Sequence, residues 1–352
     1  MRRTLLWWAV AAFTFGLCTP AHAAQAPLLF RFADPRITEA SGIAAGLVSP
    51  GVVYVHNDSG DTNRFFAVDA HSGVTVATII VPGARNIDWE DIAVARDAAG
   101  RSSVWLADTG DNDASRREVQ VYRVDEPRLR ANQRDRVIRA RLTGVWRVHY
   151  PDGPVDTESL AVTPNGNGYL VTKSPGLAAV YRLPASPDAH RVRTLTKVGT
   201  IRLVPTGAPN PFGPLGEVTA TSAAISADGS LLAVRTYATA YLWRVAAGGV
   251  PAALRNPPVR VPLPWQRQGE GVAVAAGRLL VDSEGLHSPV YAVPLPRLPA
   301  ATTAPRSSPA AHPAAPAPRS RGGAGWALPV VTAAAACALL AGAVAWRLRR
   351  RR

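Results

Sequence analysis

An all-β fold, a five-bladed β-propeller followed by one C-terminal transmembrane helix, is predicted by three observations. One pattern recurs five times in the body of the chain: a small residue, an aliphatic residue and alanine, then a glycine turn and a β-rich run. Its spacing matches blades of about 40–50 residues that each hold several strands. No part of the body alternates strands with long amphipathic helices, which argues against a parallel α/β sheet. No Trp-Asp blade ending occurs either, so the Trp-Asp repeat propellers are not supported.

In chain order, residues 1–23 read as a secretory signal peptide. Arg2 and Arg3 precede an apolar run from Leu5 to Leu17, and Ala21-His22-Ala23 supplies the small-residue site, with cleavage expected after Ala23. Bulky Leu17 before Cys18 argues against lipidation. Residues 24–297 form the propeller, and the Ala/Pro-rich residues 298–325 form a semi-extended stalk. The 21 uncharged residues 326–346 are long enough to cross a hydrocarbon core of about 30 Å. Trp326 and Trp346 suit its two interfaces, and the Arg-rich tail 347–352 should stay cytoplasmic. The expected location is the cell membrane, single-pass, with the propeller extracellular.

The charge balance supports that reading. The chain carries 39 Lys+Arg against 25 Asp+Glu, a net +14, but ten of the bases lie in residues 1–23 and 301–352, which hold no acid. The segment between is only +4, so a nucleic-acid partner is not implied. Its one basic stretch, Arg116 to Arg147, reads as the solvated outer edge of a blade, the alternative being attraction for an anionic polymer or a phosphorylated substrate. Cys18 and Cys337 both fall in the end segments, which excludes disulfides and cysteine-ligated zinc from the body.

The blades begin at Ser41-Gly42-Ile43-Ala44, Glu90-Asp91-Ile92-Ala93, Glu158-Ser159-Leu160-Ala161, Ala223-Ala224-Ile225-Ser226 and Glu270-Gly271-Val272-Ala273. Hairpin turns follow at Gly51, Gly100, Asn165-Gly166, Asp228-Gly229 and Gly277. The aliphatic positions are 49, 68, 65 and 47 residues apart, so the two long intervals require insertions, expected at Asp125 to Arg141 and Pro205 to Gly216. An early strand near Leu28 to Phe32 would complete the last blade. Six blades are the alternative, since weak repeats escape notice.

Aligning the repeats puts Ser41, Glu90, Glu158, Ala223 and Glu270 at equivalent positions near the channel mouth. A second ring follows from the next strand ends: Asn57 and Asp58, Asp108 to Asn112, Lys173, Arg235 and Asp282 to Glu284. The densest acidic patch, Asp88, Glu90, Asp91, Asp108, Asp111 and Asn112, offers hard oxygen ligands of the kind Ca²⁺ takes. Asn57, Asp58, Glu158, Lys173, Arg235 and Glu270 are the candidate ligand-binding residues. The bland alternative is that these groups make turn hydrogen bonds or are solvated. No Gly-x-Ser-x-Gly elbow, His-Glu-x-x-His or phosphate-cradling loop is present. Paired carboxylates, as in glycoside hydrolysis, remain the one acid–base arrangement available.

Several of these motifs, Ser41-Gly42-Ile43, His56-Asn57-Asp58-Ser59-Gly60, Asp88-Trp89-Glu90-Asp91-Ile92-Ala93, Asp108-Thr109-Gly110-Asp111-Asn112, Asp156-Thr157-Glu158-Ser159-Leu160 and Arg235-Thr236-Tyr237, resemble a group of secreted bacterial propellers. That group is similar to phytase-like and esterase-like propellers. The resemblance covers roughly residues 36–290 and implies Ca²⁺ ions that bind phosphate at the mouth, with Asp88, Glu90, Asp91, Asp108, Asp111 and Glu158 as the residues to suspect. The resulting expectation is a ligand-binding propeller with Ca²⁺ at an acidic mouth. A Ca²⁺-dependent phosphoester hydrolase and a carboxylate-pair glycosidase are the alternatives.

Overall fold

A computed structural model describes residues 26–299. Strand β1 (Leu28–Arg31) stands apart at the start. The first blade is β2 (Ala40–Ala45), β3 (Val52–Asn57), β4 (Arg64–Asp69) and β5 (Thr75–Ile80). The second is β6 (Trp89–Arg96), β7 (Ser102–Asp108), β8 (Val119–Asp125) and, past β9 (Val137–Arg139), β10 (Leu142–His149). The third is β11 (Thr157–Val162), β12 (Gly168–Thr172), β13 (Leu177–Arg182) and, past β14 (Asp188–Thr194), β15 (Thr196–Arg202). One-turn helix α1 (Gly213–Glu217) leads into the fourth blade: β16 (Ala220–Ile225), β17 (Leu231–Thr236), β18 (Thr239–Arg244) and, past α2 (Gly249–Ala253), β19 (Val259–Pro262). The fifth is β20 (Val272–Ala275), β21 (Arg278–Val281) and β22 (Pro289–Pro294), and β1 completes it by pairing antiparallel with β22. Five sheets therefore close one ring, as the repeat spacing predicts.

Both insertions are real, and the first does more than lengthen a loop. Its strand β9 returns to the first blade and pairs parallel with β5, while β14 leaves the third blade to pair parallel with β10 of the second. Each covers an outer edge that would otherwise expose unpaired backbone groups. The five predicted hairpin glycines all hold left-handed conformations, with φ between 71° and 79°. Among the described residues no helix is long and apolar enough to cross a membrane. The signal peptide, most of the stalk, the anchor segment 326–346 and the Arg tail lie outside the described residues.

Five apolar clusters, one between each pair of adjacent sheets, hold the ring together. Trp89, Tyr122 and Phe65 fill the first–second interface; Trp105, Trp146 and Tyr181 the second–third; Tyr241 and Trp243 the third–fourth; Leu242 and Val281 the fourth–fifth; Phe32 and Phe66 the fifth–first. Burial of each such side chain is worth about 1.5–3 kcal/mol.

The inner strands β2, β6, β11 and β16 each carry a register irregularity beside the same structural position, at Ser41, Glu90, Glu158 and Thr221. A bulge re-aims the extra residue, and here it sets those four residues at the upper end of the channel. The fourth blade thus contributes Thr221, two residues earlier than the Ala223 expected from the sequence. Its hydroxyl donates to the Glu270 carbonyl at 2.9 Å, as the Ser41 hydroxyl donates to that of Glu90 at 3.0 Å.

One layer further in lie Gly42, Asp91, Ser159, Ser222 and Gly271, four small residues around one carboxylate. A Cβ on Gly42 would stand 2.8 Å from the Asp91 carboxylate, so this layer has no room for a side chain there. Asp91 is completely buried and accepts from the backbone N–H groups of Ile92 (2.9 Å), Leu160 (2.7 Å) and Ala223 (3.1 Å) and from the Ser222 hydroxyl (3.1 Å). Ser222 Oγ in turn accepts from Val272 N–H at 3.0 Å. The inner strands of four blades are tied through two side chains. Asp91→Asn would place an amide donor against this circle of donors, and leaving buried polar groups unsatisfied costs about 1–3 kcal/mol each. Urea unfolding is expected to show a loss of at least that size, whereas an unchanged midpoint would remove Asp91 from this structural role.

Candidate metal centre at the acidic channel mouth

Alternation along the inner strands builds the site. In Asp88-Trp89-Glu90 the indole of Trp89 enters the core between blades, while its two acidic neighbours come together at the mouth. Carboxylate oxygens of Asp58, Asp88 and Glu90 lie within 4.8 Å of one another, and so do those of Glu90, Asp156 and Glu158. Glu90 belongs to both triads. The backbone yields to them at Gly110, where any Cβ would collide with the Glu90 and Asp88 carboxylates.

Lys173, at the end of β12, enters the second triad. Its ammonium forms a short ion pair with Glu158 and stands 3.9 Å from Asp156. Burial works against that charge, but Asp156, Glu90, Glu270 and Asp58 outweigh it and the Lys173 pKa rises. On the fifth-blade side, Glu270 is buried and its Oε2 has no hydrogen-bond partner.

The electrostatic consequence is strain by like charge. Two carboxylates 4.8 Å apart repel by about 3 kcal/mol at an effective dielectric constant of about 20. Burial first, then Asp58 and Asp88, push the Glu90 carboxyl well above the usual carboxylate range. Burial raises Glu270 to about 7 against the pull of Lys173 and Arg235, and burial with Glu270 and Asp58 nearby raises Glu284 to about 9. Tyr237, buried and facing Glu270 and Glu284, is likewise pushed up.

The other residues singled out in the sequence are engaged elsewhere. Asp91 is the axial knot described above. Asp108 pairs with Arg116 at 3.1 Å and accepts from the Asp88 backbone N–H. Asp111 caps a turn through the N–H groups of Ser115 and Arg116, and Asn112 is exposed beside it. Asn57 uses its side-chain oxygen on Thr38 and Glu39 and its nitrogen on Arg36 and Asp61. Arg235, fully buried, donates to the carbonyls of Gly271, Asp282 and Thr236 and braces the fourth blade against the fifth. Burial depresses it to about 10.

Asp58, Asp88, Glu90, Glu158, Lys173 and Glu270 therefore share the mouth. Asp156, Glu284 and Tyr237 join them; Glu284 stood in the second ring read from the strand ends, whereas Asp156 and Tyr237 had been given no ligand role. The signal for Asp156 was present in the chain: it precedes Glu158 by two residues, as Asp88 precedes Glu90.

No protein-family model matches the chain, and no curated protein matches it. Among solved structures, a chain of a nidogen/laminin complex aligns over 75% of this chain and 83% of its own length, at 14% identity and a TM-score of 0.38. A likeness that distant carries no functional argument.

The raised carboxyls set the pH dependence. Between their unfolded value near 4.5 and folded values of about 7 and 9, Glu270 and Glu284 bind more protons folded than unfolded. Stability must then fall as pH rises through that window. With EDTA present, the melting temperature is expected to be higher near pH 5 than near pH 8.5, and Glu284→Gln should flatten the upper half of the decline. A melting temperature that climbs over this range in EDTA would contradict the assignment.

Proposed function

We propose that this chain is a membrane-anchored, extracytoplasmic propeller that binds its ligand through a divalent cation, Ca²⁺, held at the acidic mouth. The observation that carries the reading is the pair of carboxylate triads sharing Glu90. These are hard oxygen donors without nitrogen or sulfur, the set that suits Ca²⁺ with its six to eight oxygen ligands. Asp58, Asp88 and Glu90 would hold the ion, with Asp156 and Glu158 at its flank. A bound dication relieves the repulsion that otherwise keeps protons on the cluster. Glu270, whose Oε2 is unpartnered and whose carboxyl interacts electrostatically with Asp58 and Lys173, supplies a further acceptor near the cluster.

Lys173 favours a second reading, a phosphoester hydrolase, because its ammonium and a cation on Asp58, Asp88 and Glu90 could hold a phosphoryl group between them. In that reading the ion supplies charge neutralisation, while Lys173 and the carboxylates orient the ester.

Treatment with EDTA is expected to lower the melting temperature of the purified chain at pH 7.5, and Ca²⁺ to restore it. Glu90→Gln should abolish the restored increment, since the residue serves both triads. No Ca²⁺-dependent shift in the native chain would sink the metal reading. A panel of chromogenic phosphate esters then separates the two readings: turnover lost in Glu90→Gln and Lys173→Met supports the hydrolase, and no turnover leaves the binding module.

A further inference from the structure

The end of the ring remote from the mouth carries a polar feature that the acidic site does not use. A cleft of about 370 Å³ opens between the far ends of β6, β7, β8 and β10 and the β11–β12 hairpin of the next blade. Arg96, Arg101, Arg123 and Arg141 line it, with Asp97 and Asp125. Asp97 is engaged locally: its oxygens accept from the N–H groups of Ala99 and Arg101 and from the Arg101 guanidinium, each at 2.9 Å. Arg96, Arg123 and Arg141 are then balanced by Asp125, an excess of two positive charges along the lining.

Arg123 is the rigid part of this arrangement. Its guanidinium carbon lies 5.4 Å from the ring centroids of both Trp105 and Trp146, whose indoles stack with centroids 4.5 Å apart. Nε donates to Thr143 Oγ1 at 3.2 Å and Nη2 to the Thr143 carbonyl at 2.9 Å. The fork is thereby fixed, with Nη1 left without a hydrogen bond among the described residues. Burial lowers the Arg123 pKa, the mark of a cation held partly out of water. Arg96 is held by the carbonyls of Leu47 and Gly100 at 2.9 and 3.2 Å, and Arg141 is exposed at the rim.

We propose that this cleft is a binding site for a phosphate-class oxyanion, separate from the acidic mouth. A phosphate monoester carries a charge of about −1.5 to −2 at neutral pH and three strong acceptor oxygens, which matches the excess charge. Guanidinium forks read such oxygens with directional hydrogen bonds, and a fork already immobilised loses less entropy on binding. The oxyanion can come from a soluble phosphorylated solute or from a lipid headgroup.

The test uses the full chain with two probes: glycerol phosphate followed by phosphorus NMR line broadening, and phosphatidic acid vesicles, with phosphatidylcholine vesicles as reference, followed by co-sedimentation. Saturable binding to either probe, weakened about fivefold or more by Arg141→Ala at unchanged melting temperature, supports the site and names the source. Arg123→Lys keeps the charge and removes the fork, and it should weaken binding as well. Binding to neither probe, or binding indifferent to both substitutions, overturns the proposal.

Discussion

The buried carboxylate of Asp91 is the constraint on which the rest of the molecule depends. A propeller must bring several inner strands to one axis, where their backbone donors face each other with water excluded, and unsatisfied donors there are costly. One side chain accepts from three blades, and Ser222 passes the connection to a fourth. Space is tight in this layer: a Cβ on Gly42 would collide with the Asp91 carboxylate, and one on Gly271 with the Asp282 carboxylate and the Gly42 backbone. This layer separates two unlike chambers. On one side is the acidic mouth. On the other is a cavity of about 490 Å³ lined by residues such as Ile43, Ile92, Ala223 and Val274, with Asp228 its sole charged lining residue.

Much of this was legible in the chain. Blades are local repeats, so their strands, hairpin glycines and the closing strand at Leu28–Arg31 follow from period and turn chemistry. The fourth blade was misplaced by two residues because Ala220 to Ala224 is a run of small residues, and a shift of two keeps every side chain on the same face. Strands β9 and β14 were not legible, because each pairs with a blade other than its own neighbours in the chain.

The site was legible in part for a related reason. Glu90 and Glu158 stand at repeated positions and meet at the mouth. Asp91 and Asp108 look equally acidic in the sequence, but a bulge sends the first to the axis and Arg116 claims the second. Neither outcome depends on residue type or spacing alone. The density of acid between Asp88 and Asp111 thus divides into four duties: carboxylates at the mouth, one structural knot at Asp91, one ion pair of Asp108 with Arg116, and turn caps at Asp97 and Asp111. The net positive charge of the whole chain says little about this end of the molecule, where one ammonium, that of Lys173, serves Asp156 and Glu158.

We propose that the mouth is a cation site whose carboxylates hold protons until the cation arrives. Calorimetric titration of Ca²⁺ into the purified chain at pH 7.5, repeated in buffers of different ionisation enthalpy, counts the protons displaced on binding. Glu90 and Glu284 are raised by burial and by their acidic neighbours, so binding is expected to release protons, and the release should diminish in Glu284→Gln. Ca²⁺ binding with no proton release, or no binding at all, would contradict the account.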